Sequence, residues 1–372
     1  MLVKTPVSSA IPFSAMRRPA PGTKSGLWYW VQVNMLDGVY NWFLSGFTLW
    51  AIFVTFPGLV QWALIDAVWS ADGPAACLSA KGACWAVIGE KHRVMLFGTF
   101  PFDEHWRGLL VVAIIVGLSV ISGFKRFWSF KLFFVWAGAT ALVLVLQLGG
   151  VFGLTPTGTH QWGGLPLTLM MFSGTVIGGL PAAILLALGR RSSLPAIKAL
   201  SIGFVEIVRG VPLVTVLFMA ALIFPLFVPE HLSVNKYVRA QVGMILFFAA
   251  YAAEIVRGGL QAISRGQYEA ADSIGLTYWQ KNNRIILPQA LRIVLPALMN
   301  DIIRAFKNTT FISIIGLFDV MGATSTALQD PLWVKFGIEA YLFIFLLYFS
   351  FSFSMSKYSE HVETDLSKGR NL

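Results

Sequence analysis

The chain has 372 residues, of which 56% are hydrophobic and only 12% charged, with 13 Trp and 30 Phe. A soluble domain carries roughly 25% charged residues, so this composition excludes an ordinary soluble protein and points to one embedded in lipid. The net charge of +10 suits Lys and Arg on cytoplasmic loops that face an anionic leaflet, and the apolar composition argues against nucleic acid as its partner.

Residues 1–42 read as a flexible cytoplasmic tail. Pro6, Pro12, Pro19 and Pro21 interrupt the segment, and it lacks the apolar core of a signal peptide. A spanning helix needs about 20 apolar residues. In chain order the candidates are Phe43–Ile65, Gly108–Ser122, Leu132–Leu148, Leu165–Leu188, Val211–Val228, Gln241–Ile255, Leu291–Ala305 and Ile338–Ser356. The fold class expected is therefore an all-α polytopic membrane protein with about eight spans, about three in an N-terminal region (43–160) and about five in a core (161–357). Residues 358–372 read as a cytoplasmic tail.

Orientation follows from basic residues. With the N-terminus inside, the inner segments collect Arg17, Arg18, Lys125, Arg126, Arg190, Arg191, Lys198, Lys281, Arg284 and Arg292, while 149–164 has no Lys or Arg. Both termini then lie in the cytoplasm. Segment 69–106 is an external loop, with Arg107 at its end. It holds Cys77 and Cys84, which an oxidising compartment would pair as a disulfide, the alternative being free thiols. No internal repeat is evident, against a carrier built from matching halves. Gly174 and Gly178 form a GxxxG that suits close helix packing.

The cytoplasmic segment 267–288 is the most informative. Tyr268–Ile274 holds helix formers, Gly275 suits a left-handed helix end, and Thr277 can cap a second short helix. Pro288 is expected to stop that second helix and begin re-entry into the membrane. The product is a helix–turn–helix on the inner face, fit to dock in a partner's groove. An ordinary amphipathic connection is the plainer alternative.

The spacing Glu269-Ala270-Ala271, then Gly275, Ile285, Leu287 and Pro288 resembles the signature loop of ATP-binding-cassette importer permeases. Arg209-Gly210-Val211-Pro212-Leu213 and Glu254-Ile255-Val256-Arg257-Gly258-Gly259 resemble runs in polar amino-acid permeases. At Asn308 the chain departs from that pattern, which has Asp. The long front half and the phrase Val60-Gln61-Trp62-Ala63 resemble the M-type permease subunit of the general L-amino-acid transporter.

The resemblance implies a type I importer fold whose signature loop is a coupling helix seated on a separate ATPase. It further implies a second permease subunit in a heterodimer, an ATPase dimer, a periplasmic amino-acid-binding protein and a bacterial inner-membrane location. No Gly-Lys dipeptide occurs, so the chain lacks a P-loop of its own. No enzyme activity and no cofactor are expected in this chain; ATP and magnesium would belong to the ATPase. The alternatives are a permease for another small polar solute, or an ion-coupled amino-acid carrier.

Intramembrane charge is costly and marks candidate function. Glu254 and Arg257 share a helix face, as do Asp301 and Arg304, with Asn300 adjacent. A zwitterionic substrate needs an anion for its ammonium group and a cation for its carboxylate. Glu254 is the residue expected to line the path and meet the ammonium, against an alternative in which each pair neutralises itself and only packs helices.

Overall fold

The computed structural model describes residues 26–129, 131–229 and 234–368. The tail residues Lys4, Arg17, Arg18, Lys24 and Arg370 lie outside them.

Chain packing divides at Ala67–Val68. The first unit holds α1 (Leu27–Met35) and α2 (Val39–Val60), the latter continued by a π-turn at Gln61–Ile65. Residues 27–42, expected as tail, are therefore mostly helical. Their apolar run, Leu27-Trp28-Tyr29-Trp30-Val31, is shorter than a span and escapes a criterion based on span length. The turn between the helices is held by the Trp42 indole donating to Leu36 O at 2.7 Å and Ser45 Oγ donating to Met35 O at 3.0 Å.

The second unit holds the other helices: α3 (Ala75–Ser79), α4 (Ala86–Phe97), α5 (His105–Ser122), α6 (Lys131–Leu148), α7 (Gly164–Gly189), α8 (Pro195–Gly210), α9 (Leu213–Phe218), α10 (Phe224–Phe227), α11 (Lys236–Ala262), α12 (Arg265–Ser273), α13 (Tyr278–Lys281), α14 (Leu287–Asn308), α15 (Val320–Ala327) and α16 (Gly337–Lys368). Among the described residues seven helices are long and apolar enough to cross a membrane, and up to eight if one bent pair counts as a span. That pair is α8 with α9–α10, bent by 108°. The span expected at Val211–Val228 is its second arm, Leu213–Phe227, whereas the first arm, α8, is not among the expected spans. Val211 is extended because it precedes Pro212, which disfavours the helical region for its neighbour. Helix α16 runs on to Lys368, so the expected C-terminal tail begins as helix.

The core of this unit is the pairing of α7 with α11. A Cβ on Gly174 would lie 2.8 Å from the Gln241 side chain, and one on Gly178 would lie 2.8 Å from Ile245. The GxxxG face is thus filled by α11 side chains, as close helix approach requires. Helix α14 crosses α11 where Gly259 meets the Ala290 backbone. Helix α5 reaches the same bundle through Gly108, which faces Phe97 and Pro166. Arg107, read from sequence as a loop cation, is instead wholly buried. Its guanidinium donates to Leu146 O at 2.5 Å and Thr155 O at 2.9 Å, and lies 3.5 Å from Glu104.

At one end of the bundle, α3, α4 and the flanking turns form a cap over α15 and the start of α16. Its small core joins Val87 and Met95 to Leu328, Trp333 and Phe336. Cys77 and Cys84 are bonded as a disulfide within it. The Cys84 amide donates to the buried Glu339 carboxylate at 2.9 Å, and Lys91 pairs with Asp330 at 2.7 Å. Closing so short a loop is worth about 2–3 kcal/mol by chain entropy. Cys77→Ser with Cys84→Ser is accordingly expected to lower thermal stability by that amount, read as a shift in Tm of the purified protein. The same shift should follow a reductant in the wild type and be missing in the double variant.

Asp319 lies at this end too. It is fully buried, caps α15 by accepting from the Gly322 amide at 2.9 Å, and accepts from Tyr348 Oη at 3.0 Å. Burial pushes its carboxyl up to about 6. An acid with a raised folded pKa binds its proton more tightly when folded, so stability falls as pH rises from about 4, the free value, through about 6. Asn keeps the cap and carries no charge. Asp319→Asn is therefore expected to match the wild type near pH 4 and exceed it by about 3 kcal/mol at pH 7, measured as the difference in thermal unfolding across that range.

Candidate functional site

At the end of the bundle opposite the disulfide, the signature segment forms a compact helical turn. Helix α12 carries Glu269, Ala270 and Ala271; Ala271 is buried against the bundle while Glu269 and Ala270 are exposed. The helix ends at Gly275, whose φ of +73° is left-handed and whose Cβ position is open space. Glycine alone adopts that conformation without steric cost. Thr277 then caps α13 in a full capping box with Gln280, which satisfies two otherwise unpaired amides. The exposed rim is apolar at Ile274, Tyr278 and Trp279, 71%, 49% and 58% accessible respectively.

The second half differs from the sequence expectation. Pro288 does not stop a helix. A π-turn at Asn282–Ile286 carries α13 directly into α14, and Pro288 sits in the first turn of α14, next to the π-turn, where the regular hydrogen-bond ladder is already interrupted and a missing amide is accommodated. Ile285 is half-buried, Leu287 buried and Pro288 exposed. The motif's apolar positions thus anchor the loop to the bundle while its first half faces outward.

Three further ties hold the loop. Lys281 pairs with Asp272 at 2.6 Å, and Gln289 donates to Gln267 at 3.0 Å. Arg191, just beyond α7, donates to Leu260 O at 2.7 Å and to Tyr268 Oη at 2.8 Å, with its guanidinium 5.2 Å from the Tyr268 ring centre.

The other sequence candidates fall into two neighbouring clusters. Glu254 on α11 bonds Arg257, as the spacing predicts. It also meets Arg190 at 2.9 Å and Arg209 at 3.6 Å, and Arg190 meets Glu206 at 3.0 Å. Glu254 therefore has three guanidinium partners and little acceptor capacity left for a substrate ammonium. In the second cluster Asp301 and Arg304 on α14 are bonded to each other. Asp301 is 6% exposed and its Oδ2 has no hydrogen-bond partner. A small cavity beside it is lined by Thr175, Met244, Phe247, Asp301, Arg304 and Asn308, among others. Arg304 lies 4.2 Å over the Tyr251 ring, while Tyr251 donates to Arg209 O at 3.3 Å, so Tyr251 joins the two clusters. Asn300, adjacent to Asp301 in sequence, does not line this cavity. Arg190, Arg191 and Tyr268 escape functional notice in the sequence because their partners are 16 or more residues away or are backbone atoms.

A family model described as "Binding-protein-dependent transport system inner membrane component" matches residues 179–368. "Inner membrane amino-acid ABC transporter permease protein YhdY" of Escherichia coli K12 is 43% identical over 359 residues, covering 95% of this chain and 96% of that protein. The chain belongs to this permease family. It is thus a multi-pass inner-membrane subunit of an ATP-binding-cassette importer, a class that works with an ATPase and a substrate-binding protein. The all-helical type I importer fold implied by the signature loop is the permease fold found. "Glutamate/glutamine/aspartate/asparagine transport system permease protein BztC" of Rhodobacter capsulatus is 34% identical, covering 94% of this chain and 96% of that permease. Among solved structures, "Crystal structure of an amino acid ABC transporter with histidines" aligns at 29% identity with a TM-score of 0.48, over 54% of this chain and 91% of that one.

Proposed function

We propose that this permease subunit translocates L-amino acids inward by alternating access, powered by a separate ATPase that docks on the turn 265–281. The observation that carries the reading is that turn: a left-handed Gly275 and a capped α13 present Glu269, Ile274 and Trp279 outward from a base tied into α14. Such a rigid, mostly exposed knob suits a groove on a soluble partner. The two full-length relatives named for amino-acid transport support the substrate class.

The Asp301–Arg304 cavity suits a zwitterion. The free Oδ2 of Asp301 is an acceptor without a donor, which an ammonium group would satisfy, and the half-exposed Arg304 would take a carboxylate in a charge-assisted bond. Glu254, saturated by arginines, is reassigned from substrate contact to holding helices together. ATP and magnesium are used by the ATPase dimer, not by this chain. A second, different permease completes a heterodimer, a periplasmic binding protein delivers the amino acid, and both termini lie in the cytoplasm. The test is co-purification of the ATPase with wild-type permease and with Gly275→Asp. Retention is expected in the first and loss in the second, and equal retention would contradict the docking role.

A further inference from the structure

We propose that the consecutive residues Arg190 and Arg191 act as a relay that passes movement of the docking turn to the bent helix α8 beside the solute path. The relay rests on the coupling reading above and adds the residues through which the signal runs.

Arg191 grips the docking side. Its Nη1 donates to both Leu260 O and Tyr268 Oη, and Tyr268 Oη itself donates to Leu260 O at 3.2 Å. One guanidinium thus binds α12, two residues from the exposed Ala270, to the last full turn of α11. Arg190 faces the other way. Its two terminal nitrogens reach Glu254 on α11 and Glu206 on α8, at 2.9 and 3.0 Å. Adjacent residues on one short backbone segment therefore hold α12 on one side and α8 on the other.

The backbone between them has little slack. Gly189 lies so close to Ser201 of α8 that any Cβ there would clash, and Gly259 packs on the Ala290 backbone of α14. Glycines at both contacts pack the helices with no side chain between them, and the arginines link α12 to these closely packed helices. On the far side the last turn of α8 carries Arg209, which meets Glu254 at 3.6 Å and whose carbonyl accepts from Tyr251, the ring beneath Arg304. The chain of contacts from Tyr268 to Tyr251 is continuous and joins the docking turn to the Asp301 cavity. An isolated surface ion pair contributes little. Arg190, whose two terminal nitrogens each hold a carboxylate on a different helix, α11 and α8, has a two-sided geometry that such a pair lacks.

The experiment reconstitutes the complete transporter containing this chain in proteoliposomes and measures solute imported per ATP hydrolysed. Arg191→Ala and Arg190→Gln are each expected to leave ATP hydrolysis in place and to lower that ratio by roughly tenfold, within the usual range of coupling between linked sites. A purely structural role would lower import and hydrolysis together and leave the ratio alone, so an unchanged ratio in either variant overturns the relay. If either fails to assemble, Tyr268→Phe decides, since it removes one hydroxyl. A fall of roughly threefold supports the relay, and no fall overturns it. Gly275→Asp is run alongside. Uncoupling there without uncoupling in the arginine variants refutes the relay alone, whereas an unchanged ratio in all of them refutes the coupling reading itself.

Discussion

Gly275→Asp is expected to abolish most uptake while leaving the permease folded in the membrane. The position has φ +73° and nothing within reach of a Cβ. Aspartate visits the left-handed region more readily than most residues, so the backbone cost stays at about 1–2 kcal/mol or less. The turn's other ties, the Thr277 capping box and the Lys281–Asp272 pair, do not involve Gly275. What changes is the outward surface, where a carboxylate would stand beside the exposed Ile274. A charge forced into a packed partner groove costs about 2–4 kcal/mol, a factor of roughly 30 to 1,000 in association. Uptake should fall by that factor, with the variant still eluting as a folded membrane protein. Gly275→Asn, similar in shape and backbone tolerance but neutral, should lose much less. Equal losses in the two would assign the effect to the backbone and not to docking.

Asp301→Asn is the second large effect expected. The substitution keeps size and shape but removes the buried charge that faces Arg304 and the cavity. Arg304 is 42% exposed, so water screens the cation left behind and the loss of the pair itself costs only about 1 kcal/mol. If the carboxylate also receives the substrate ammonium, transport should fall by roughly a hundredfold or more at fixed substrate concentration. Docking of the ATPase should be untouched, because Asp301 belongs to the α14 cavity and not to the exposed turn. Arg304→Lys separates the roles of the pair. It preserves charge but loses the planar fork and its stacking on Tyr251, and the expected loss is smaller. Wild-type transport by Asp301→Asn would return the pair to a purely structural role.

The local parts of this molecule are written plainly in its sequence. Gly275 followed by Thr277 and Gln280 specifies a left-handed helix end and a capping box, because each device lies within four residues of chain. The i, i+3 pairs at Glu254–Arg257 and Asp301–Arg304 are readable for the same reason. What could not be read are features that depend on distant partners. Arg190 and Arg191 look like topology-setting charges, yet the acceptors of Arg190 lie 16 and 64 residues on. Arg107 looks like a loop cation and is buried because the carbonyls of Leu146, in the last turn of α6, and of Thr155, in the connection after it, accept from its guanidinium. The bend at Gly210–Pro212 is not legible as a bend, because the helix before it, α8, does not register as a span. Helix α8, with Lys198, Glu206 and Arg209 on its surface, is too short and too charged to register as a span. Pro288 misleads because proline ends helices and also begins them.

The central claim is that a separate ATPase, docked on the turn around Gly275, drives amino-acid import through this chain. Its most direct test is uptake of a labelled L-amino acid into proteoliposomes holding this permease and its partner permease, with binding protein outside and ATP inside. Uptake should require the ATPase and internal ATP, and should be insensitive to an imposed proton or sodium gradient. Uptake driven by such a gradient with the ATPase left out would contradict the account.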